Sequence, residues 1–426
     1  MDIEIVTIGD ELLLGFTVDT NAAYIARQLV ALGIRIVHRT TVGDDAERIQ
    51  EAIKVALGRT GAVITTGGLG PTADDMTKPA IAAVFSQRMI MDEEILTRLE
   101  ARWMKRFGQP LPHSNRQQAL VPENATILSN NHGSAPGILM HDAHGRWVLM
   151  LPGVPREMRG MMGDTVLPLL RKQVGENSQV VRSRTLRTAN IAESALADRL
   201  GDLARGVYGM PLAFLPAADG VDLRVTSTGR NSLDADNALG MAANAIREKV
   251  GRFIYGEEDD DLAELMLRAC KQRGLTIAVA ESCTGGLLGM RLTAVPGASE
   301  TFIGGIIAYD NAVKVRELLL PQSVIDEHGA VSEAVALGMA SGVRTRFGAS
   351  VGIGITGIAG PGGGSDEKPV GTVWVAVDVA GEVHAVHAVL PGDRGEIRWR
   401  AAQLALDRLR RAFQNEPDVP GWVVRG

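Results

Sequence analysis

Short apolar runs alternate with helix-period segments along this chain, and most of the runs break off in glycine. That alternation is the feature that most limits what the chain can fold into. Residues 3–8 (IEIVTI) read as a buried strand, and 21–32 as an amphipathic helix with Ala22, Ile25, Ala26 and Leu29 on one face. A strand at 34–41, a helix at 46–57 and a strand at 62–66 follow, the last running into GGLG at 67–70. A late strand at 149–153 leads into Pro-Gly-Val-Pro. The pattern restarts at 276–280 (strand), 287–293 (helix), 302–308 (strand) and 333–347 (helix, with Ser332 as its N-cap). Strands at 350–355 and 371–379 and a helix at 396–413 complete it. Such alternation implies two mostly parallel sheets, each covered on both faces.

Between these blocks the texture changes. Strands at 180–186 and 221–228 and helices at 191–200 and 235–250 describe a small α+β segment. The acidic run 257–261 is either a linker or the charged first turn of a helix at 262–273. The tail from Asn415 is rich in Pro and Gly and is expected to fray. No internal repeat is visible, because the two α/β blocks carry different motifs.

Glycine supplies 49 of 426 residues, well above the usual share of about 7%. With no G-X-Y period, the excess belongs in turns and in close backbone approaches. The net charge of −6 argues against bulk nucleic-acid binding. Two cysteines, Cys270 and Cys283, make no disulfide framework, so a reducing cytoplasm is expected. The N-terminal stretch is acidic where a signal peptide is basic, and no apolar run approaches ~18 residues. No membrane segment is expected.

In the carboxyl-terminal block, Glu281-Ser282-Cys283-Thr284-Gly285-Gly286 joins a strand to a helix start. The N–H groups of a helix start suit a phosphate or an oxyanion, and Gly285 and Gly286 permit close approach. A plain tight turn with Ser282 as a cap is the alternative. Tyr309 and Lys314 leave the next strand end five residues apart. A serine hydroxyl beside a Lys or Tyr of lowered pKa is a workable nucleophile and base without histidine or metal. Taken singly, Lys314 also fits a solvated helix lysine and Tyr309 a half-buried strand residue. The run GITGIAGPGGG, ending at Gly364, buries no core and points to a ligand, and Arg394 can pair with a phosphate. Cys283 is a rival nucleophile.

Taken together, AESCTGG, YDNAVK, GAVSE, TGIAGPGGG, EKPVGTVW and GDR resemble the carboxyl-terminal domain of CinA proteins, the nicotinamide-nucleotide amidase family. The resemblance implies hydrolysis of the carboxamide of nicotinamide mononucleotide, giving nicotinate mononucleotide and ammonia without a cofactor. It makes Ser282 the nucleophile, activated by Tyr309 and Lys314. Thr284, Gly285, Gly286, Thr356, Gly357, Gly360 and Arg394 would hold the nucleotide.

In the amino-terminal block, TTGGLGPTADDMT sets a glycine turn (Gly67, Gly68, Gly70) before two acids, Asp74 and Asp75. Turn amides can face a phosphate while the acids hold a hard cation. A helix N-cap with acids in the first turn is the alternative. Gly9-Asp10-Glu11 forms a second glycine–acid turn that can converge on the same crevice. Neither a P-loop nor a dinucleotide fingerprint is present. GDELLLG, DTN, TTGGLGPTADDMT, SNRQQA, NHGSAPG and LPGVPREM resemble the molybdopterin-binding (MoaB/Mog-like) fold in the variant that opens CinA proteins. The resemblance implies an ADP-ribose pyrophosphatase dependent on a divalent metal (Mg or Co type), with Asp74, Asp75 and Glu157 as metal residues. Gly67, Gly68, Gly70, Asp10 and Glu11 would bind substrate.

The segment 173–257 resembles the KH-like domain of CinA proteins. Its Gly206-Val207-Tyr208-Gly209 fits a GxxG clamp, but only Arg205 beside it is basic, which favours a linker or dimerisation role. The expected fold is therefore α/β: two separate three-layer α/β domains, 1–172 and 258–415, joined by a small α+β KH-like domain. A cytoplasmic homodimer acting on nicotinamide mononucleotide and ADP-ribose is expected. The rival reading is a non-catalytic binding protein for a molybdopterin-type ligand or a competence or DNA-repair partner.

Overall fold

The structure is a computed structural model that describes residues 1–72, 74–174, 180–218 and 220–414. The tail from Asn415 and the junction at 175–179 lie outside the described residues. The chain divides into two compact units: Met1–Arg182 with Ser227–Asp236, and Ser183–Thr226 with the residues from Asn237 onward.

The amino-terminal domain is built on strands β1 (Asp2–Ile8), β2 (Arg35–Val42), β3 (Ala62–Thr66), β4 (Met89–Met91), β5 (Leu120–Pro122), β6 (Thr126–Leu128), β7 (Gly137–His141) and β8 (Trp147–Leu151). Six of them form one sheet in the order β2-β1-β3-β8-β7-β6, while β4 and β5 pair separately. β1 runs parallel to β2 and β3, and β3 parallel to β8. β7 and β6 close the edge antiparallel, a pair the sequence pattern did not disclose.

The continuous apolar character of β1 follows from burial on both faces. Ile3 and Ile5 pack with Ala22, Ile25 and Leu29 of the helix Thr20–Ala31. Val6 and Ile8 pack with Ile49 and Ile53 of the helix Ala46–Thr60. Glu4 shares this second face, fully buried, and its carboxylate takes two bonds of 2.6 Å from Arg59. Asp45 caps the second helix by accepting from the Arg48 amide, and Gly61 ends it at φ 70°.

The small domain pairs β9 (Val180–Thr188), β10 (Leu212–Pro216), β11 (Val221–Arg230) and β12 (Ile254–Glu257) in the order β10-β11-β9-β12. In its GxxG run, Val207 and Met210 exchange backbone bonds of 2.9 Å, which makes a tight hairpin tip. Much of this domain groups with the carboxyl-terminal one. Asn190 donates to Asp407, and Arg410 donates to the Arg252 carbonyl.

The carboxyl-terminal sheet runs β14-β13-β15-β16-β17 from β13 (Ile277–Glu281), β14 (Phe302–Ile307), β15 (Val351–Gly357), β16 (Thr372–Val379) and β17 (Glu382–Val389). β13 lies parallel between β14 and β15, and the last two strands turn antiparallel. Asp261, the last of the acidic run, is the N-cap of the helix Leu262–Gln272, accepting from the Ala263 and Glu264 amides. Ser332 caps Glu333–Phe347 as the sequence predicts. Among the described residues, no helix is long and apolar enough to cross a membrane.

Both sheets reverse their strand order beside the first strand of each domain. β1 has β2 on one side and β3 on the other, and β13 has β14 and β15. At such a reversal the connections leave in opposite directions and open a crevice beyond the carboxyl ends of the strands. In the first domain Gly67 stands there at φ 113°, and a Cβ at this position would lie 2.0 Å from the Ile8 carbonyl oxygen. Gly67→Ala should therefore destabilise the amino-terminal domain by more than the ~1–3 kcal/mol of a disallowed backbone conformation alone. Hydrogen exchange of the β1 and β3 amides in the full chain would report the loss.

Candidate active sites

The crevice of the first domain is a hollow of about 270 Å³ lined by Thr7, Gly9, Glu11, Asn21, Asp44, Gly67, Gly68, Asp74 and Gly153, among others. Two strand-end loops are stitched together at its rim. The Asp10 amide donates to the Asp44 carboxylate at 3.0 Å, and the Asp44 amide donates to Asp10 at 3.3 Å. Burial raises the Asp44 pKa above the usual carboxylate value, and the negative charges of Asp10, Glu11 and Asp74 push it further the same way. Four acids thus crowd one place without a basic partner in the hollow's lining, an arrangement that a hard divalent cation would relieve. Among the described residues, no three acidic, histidine or cysteine side chains are already drawn into a cation cage.

Three expectations change here. Asp75 was expected to hold metal; it lines the hollow beside Asp74, and its oxygens already accept from the Gly70 and Thr72 amides and the Thr72 hydroxyl at 2.5–2.8 Å. It closes the turn. Glu157 was expected beside it, yet it lines a different hollow and accepts from Asn130 at 2.6 Å. The amides of the glycine turn were expected to face a phosphate, but Gly67 donates to the Leu151 carbonyl and Gly70 to Asp75. Gly68 remains on the lining of the hollow.

The structure adds two residues. Asp44 follows β2 in Gly43-Asp44, the same glycine–acid signature as Gly9-Asp10, and that echo was the available signal. Asn21 donates to the Thr66 hydroxyl and to the Gly153 carbonyl, tying three loops together, while its side-chain oxygen is buried without a partner.

In the carboxyl-terminal crevice, Ser282 follows β13 and is 8% exposed. Its neighbour Glu281 is buried, and its carboxylate accepts from the Gly286, Leu288 and Gly289 amides at 2.8–3.0 Å. The start of the helix Leu287–Thr293, expected to receive a phosphate or an oxyanion, is therefore already occupied by this internal anion. Arg398 braces the turn from the last helix, donating to the Thr284 carbonyl at 2.6 and 3.2 Å. The Thr284 hydroxyl is buried without a partner.

Lys314 is 1% exposed. Its ammonium donates to the Tyr309 carbonyl at 3.2 Å and to Asn311 at 3.3 Å. Burial lowers its pKa, opposed by the negative charge of Asp310. Lys314 is thus no solvated helix lysine, and it lies within electrostatic reach of the Ser282–Cys283 turn. Tyr309 differs from expectation: it is 61% exposed, and its hydroxyl accepts from Arg394 at 3.2 Å, not from Ser282. Arg394 also donates to the Gly360 carbonyl at 2.7 Å, while Thr356 gives its hydroxyl to Ala330. Gly285 and Gly286 adopt φ 57° and 93° at the turn; Gly357 ends β15. Cys283 packs in the core, and burial pushes its thiol up to about 12, so it stays protonated and unreactive.

An α/β protein of two sheet domains joined by a small α+β domain, with an acid-lined hollow at one strand reversal and a buried serine and lysine near the other, is the class these features define. Family models match the chain in three consecutive stretches. They are the "Probable molybdopterin binding domain" over residues 4–172, the "Damage-inducible protein CinA KH domain" over 183–256 and the "CinA C-terminal domain" over 259–413. A CinA-like protein of Gemmatimonas aurantiaca is 71% identical over the full length of both chains. One from Dictyoglomus turgidum is 40% identical over 97% of this chain and 100% of its own. The chain belongs to the CinA family.

Two outcomes follow from the geometry. Replacing Glu281 by Ala strands three amides, two of them on half-buried residues, and should lower the stability of the carboxyl-terminal unit by ~1–3 kcal/mol or more, with Gln intermediate, in urea titrations. For Asp44, a raised folded-state pKa means that the folded protein binds the proton more tightly than the unfolded chain. Its ionisation therefore subtracts stability as pH rises from the ordinary aspartate value through the folded one. Asp44→Asn should stabilise the metal-free protein at neutral pH. The gain should fade below about pH 4, where the reference aspartate is itself protonated.

Proposed function

We propose that the carboxyl-terminal domain hydrolyses the carboxamide of a nicotinamide mononucleotide-type substrate through Ser282, and that the amino-terminal domain cleaves a pyrophosphate such as that of ADP-ribose with a divalent cation. The observation that carries the amidase reading is Lys314: a buried amine of lowered pKa within electrostatic range of the Ser282–Cys283 turn. Neutral Lys314 takes the Ser282 proton as the hydroxyl oxygen attacks the carboxamide carbon. The resulting ammonium supplies positive charge near the developing oxyanion, then returns the proton to the departing ammonia. Water then attacks the remaining ester, its proton passing to Lys314 and on to the departing Ser282 oxygen, which restores the free hydroxyl and the neutral amine. Arg394, fixed to Gly360 and Tyr309, is the cationic side chain suited to the substrate phosphate.

The pyrophosphatase reading rests on the carboxylate crowding. Asp44 and Asp74, supported by Asp10 and Glu11, would hold the cation, which would offset charge developing on the phosphate oxygens. Asn21 keeps the surrounding loops in register and presents an unpaired acceptor toward the substrate.

The test incubates the full chain with nicotinamide mononucleotide and, separately, with ADP-ribose plus Mg²⁺ or Co²⁺. Ammonia release should be lost in Ser282→Ala, and its rate should rise with pH to a plateau reached below the ordinary lysine value of about 10.4. Ammonia release that survives Ser282→Ala would remove the nucleophile assignment. Asp44→Asn should abolish ADP-ribose cleavage while leaving ammonia release intact. If neither substrate turns over, the non-catalytic binding reading replaces both.

A further inference from the structure

We infer that Asp407 is a positioning residue for the carboxyl-terminal crevice, acting through the last helix, which it seats on the small domain. That helix, Arg394–Gln414, runs for 21 residues, about 30 Å at 1.5 Å per residue. Its start is fixed by a reciprocal cap: the Asp393 amide donates to the Glu396 carboxylate and the Glu396 amide to Asp393, each at 2.9 Å.

The first turns of this helix meet the crevice. Arg394 donates to the Gly360 carbonyl and the Tyr309 hydroxyl, and Arg398, one turn on, holds the Thr284 carbonyl with two bonds. The same carbonyl accepts from the Leu287 amide at 3.3 Å, so Arg398 grips the turn that carries Ser282. Trp399 lies under Arg291 of the helix Leu287–Thr293, at 4.7 Å from guanidinium to ring centroid.

The far end of the helix meets the small domain. Asp407 is 1% exposed, and both of its oxygens are committed. One accepts from Arg410 at 2.8 Å, and the other from Arg411 and from Asn190, each at 2.8 Å. The two buried arginines go on to donate to the Arg252 carbonyl at 2.9 and 3.3 Å. Asn190 follows β9, and Arg252 lies in the turn Gly251–Phe253 ahead of β12.

Burying a carboxylate with two guanidiniums costs desolvation on all three, and apolar side chains of similar volume would hold the helix as well or better. The ions add a single register, because each bond has a fixed direction, whereas apolar packing tolerates a slide. The need for one register lies at the other end. Arg398 is roughly 14 Å from Asp407 along the helix axis, and a slide would carry Arg394 and Arg398 off their carbonyls together. In the amidase reading proposed above, on which this role rests, that slide displaces the phosphate cation and loosens the nucleophile turn.

Replacing Asp407 itself would strand two buried guanidiniums, so its partner is changed instead. Asn190 has φ 55°, and Asn190→Gly removes the donor while keeping the left-handed backbone. In the full chain without substrate, hydrogen exchange of the Leu287 and Gly289 amides should quicken about threefold or more, with β16 unchanged. Arg398→Met should quicken the same amides, and Asn190→Gly should add nothing further in that background. The KM for nicotinamide mononucleotide should rise about threefold or more in Asn190→Gly. Val225→Ala, in a core cluster that includes no residue of the last helix, should leave it unaltered. The role is overturned if the Leu287 and Gly289 amides keep their wild-type rates in Asn190→Gly, or if exchange quickens equally across the carboxyl-terminal sheet. It is also overturned if the two changes add in the double variant, or if Val225→Ala raises KM as much. A chain that releases no ammonia removes the amidase reading, and the exchange rates then decide alone whether Asp407 positions the turn.

Discussion

The strand reversal beside β1 and β13 is the constraint on which the rest of this molecule depends. In each sheet the first strand is flanked by a parallel neighbour on both sides, so successive connections must leave in opposite directions. Everything placed at the two crevices arrives because a strand ends there. Gly9, Asp10 and Glu11 follow β1, Gly43 and Asp44 follow β2, and Gly67 and Gly68 follow β3. Ser282 follows β13, Tyr309 follows β14, and Thr356 and Gly357 close β15. The sheet is rigid because it is buried on both faces, so these short loops are held at fixed spacing without cross-links.

The two crevices use burial in opposite senses. In the first, desolvation and mutual repulsion disfavour the charged form of Asp44, which makes an incoming cation the natural source of stabilisation. In the second, burial disfavours the charged form of Lys314, which makes a neutral amine accessible below its ordinary titration range. One site is prepared to accept positive charge and the other to accept a proton. Both effects arise from backbone placement: Asp44 sits two residues past β2, and Lys314 sits in the first turn of the helix Asn311–Leu318 that follows β14.

Much of the fold was legible in the sequence because two-sided burial writes itself as an uninterrupted apolar run. The helices 287–293 and 333–347 and the strand 62–66 fall where periodicity placed them, and the crevices fall where glycine followed a strand. Strand β6 stayed hidden because three residues are too short for a period to show, and β7 because it pairs antiparallel with it at the sheet edge with no helix between. Motif and strand end point to the same places at Ser282, just past β13, and at Asp74, on the lining of the first crevice. Spacing alone does not show where a side chain serves its own loop. Asp74 and Asp75 are adjacent, identical in type and both on the hollow's lining, and only the turn geometry commits the Asp75 oxygens to the Gly70 and Thr72 amides. Glu157 lines a different hollow from Asp74, because it lies past Pro155 on the helix Pro155–Met161, a direction that spacing alone does not encode.

The glycine excess has a physical reading different from a row of amides offered to ligands. Most of the turn amides traced here have internal partners: Gly67 with Leu151, Gly70 with Asp75, Gly285 with Ser282 and Gly286 with Glu281. Glycine is needed at Gly67 because two strands approach too closely for a Cβ. Turns that satisfy their own hydrogen bonds are stiff, and a stiff turn has few donors left to give. Recognition must then come from side chains that reach over from neighbouring elements, which is where Arg394, Asn21 and Lys314 are found. Glycine sets how closely the strands end, and the long side chains around it set what can be held there.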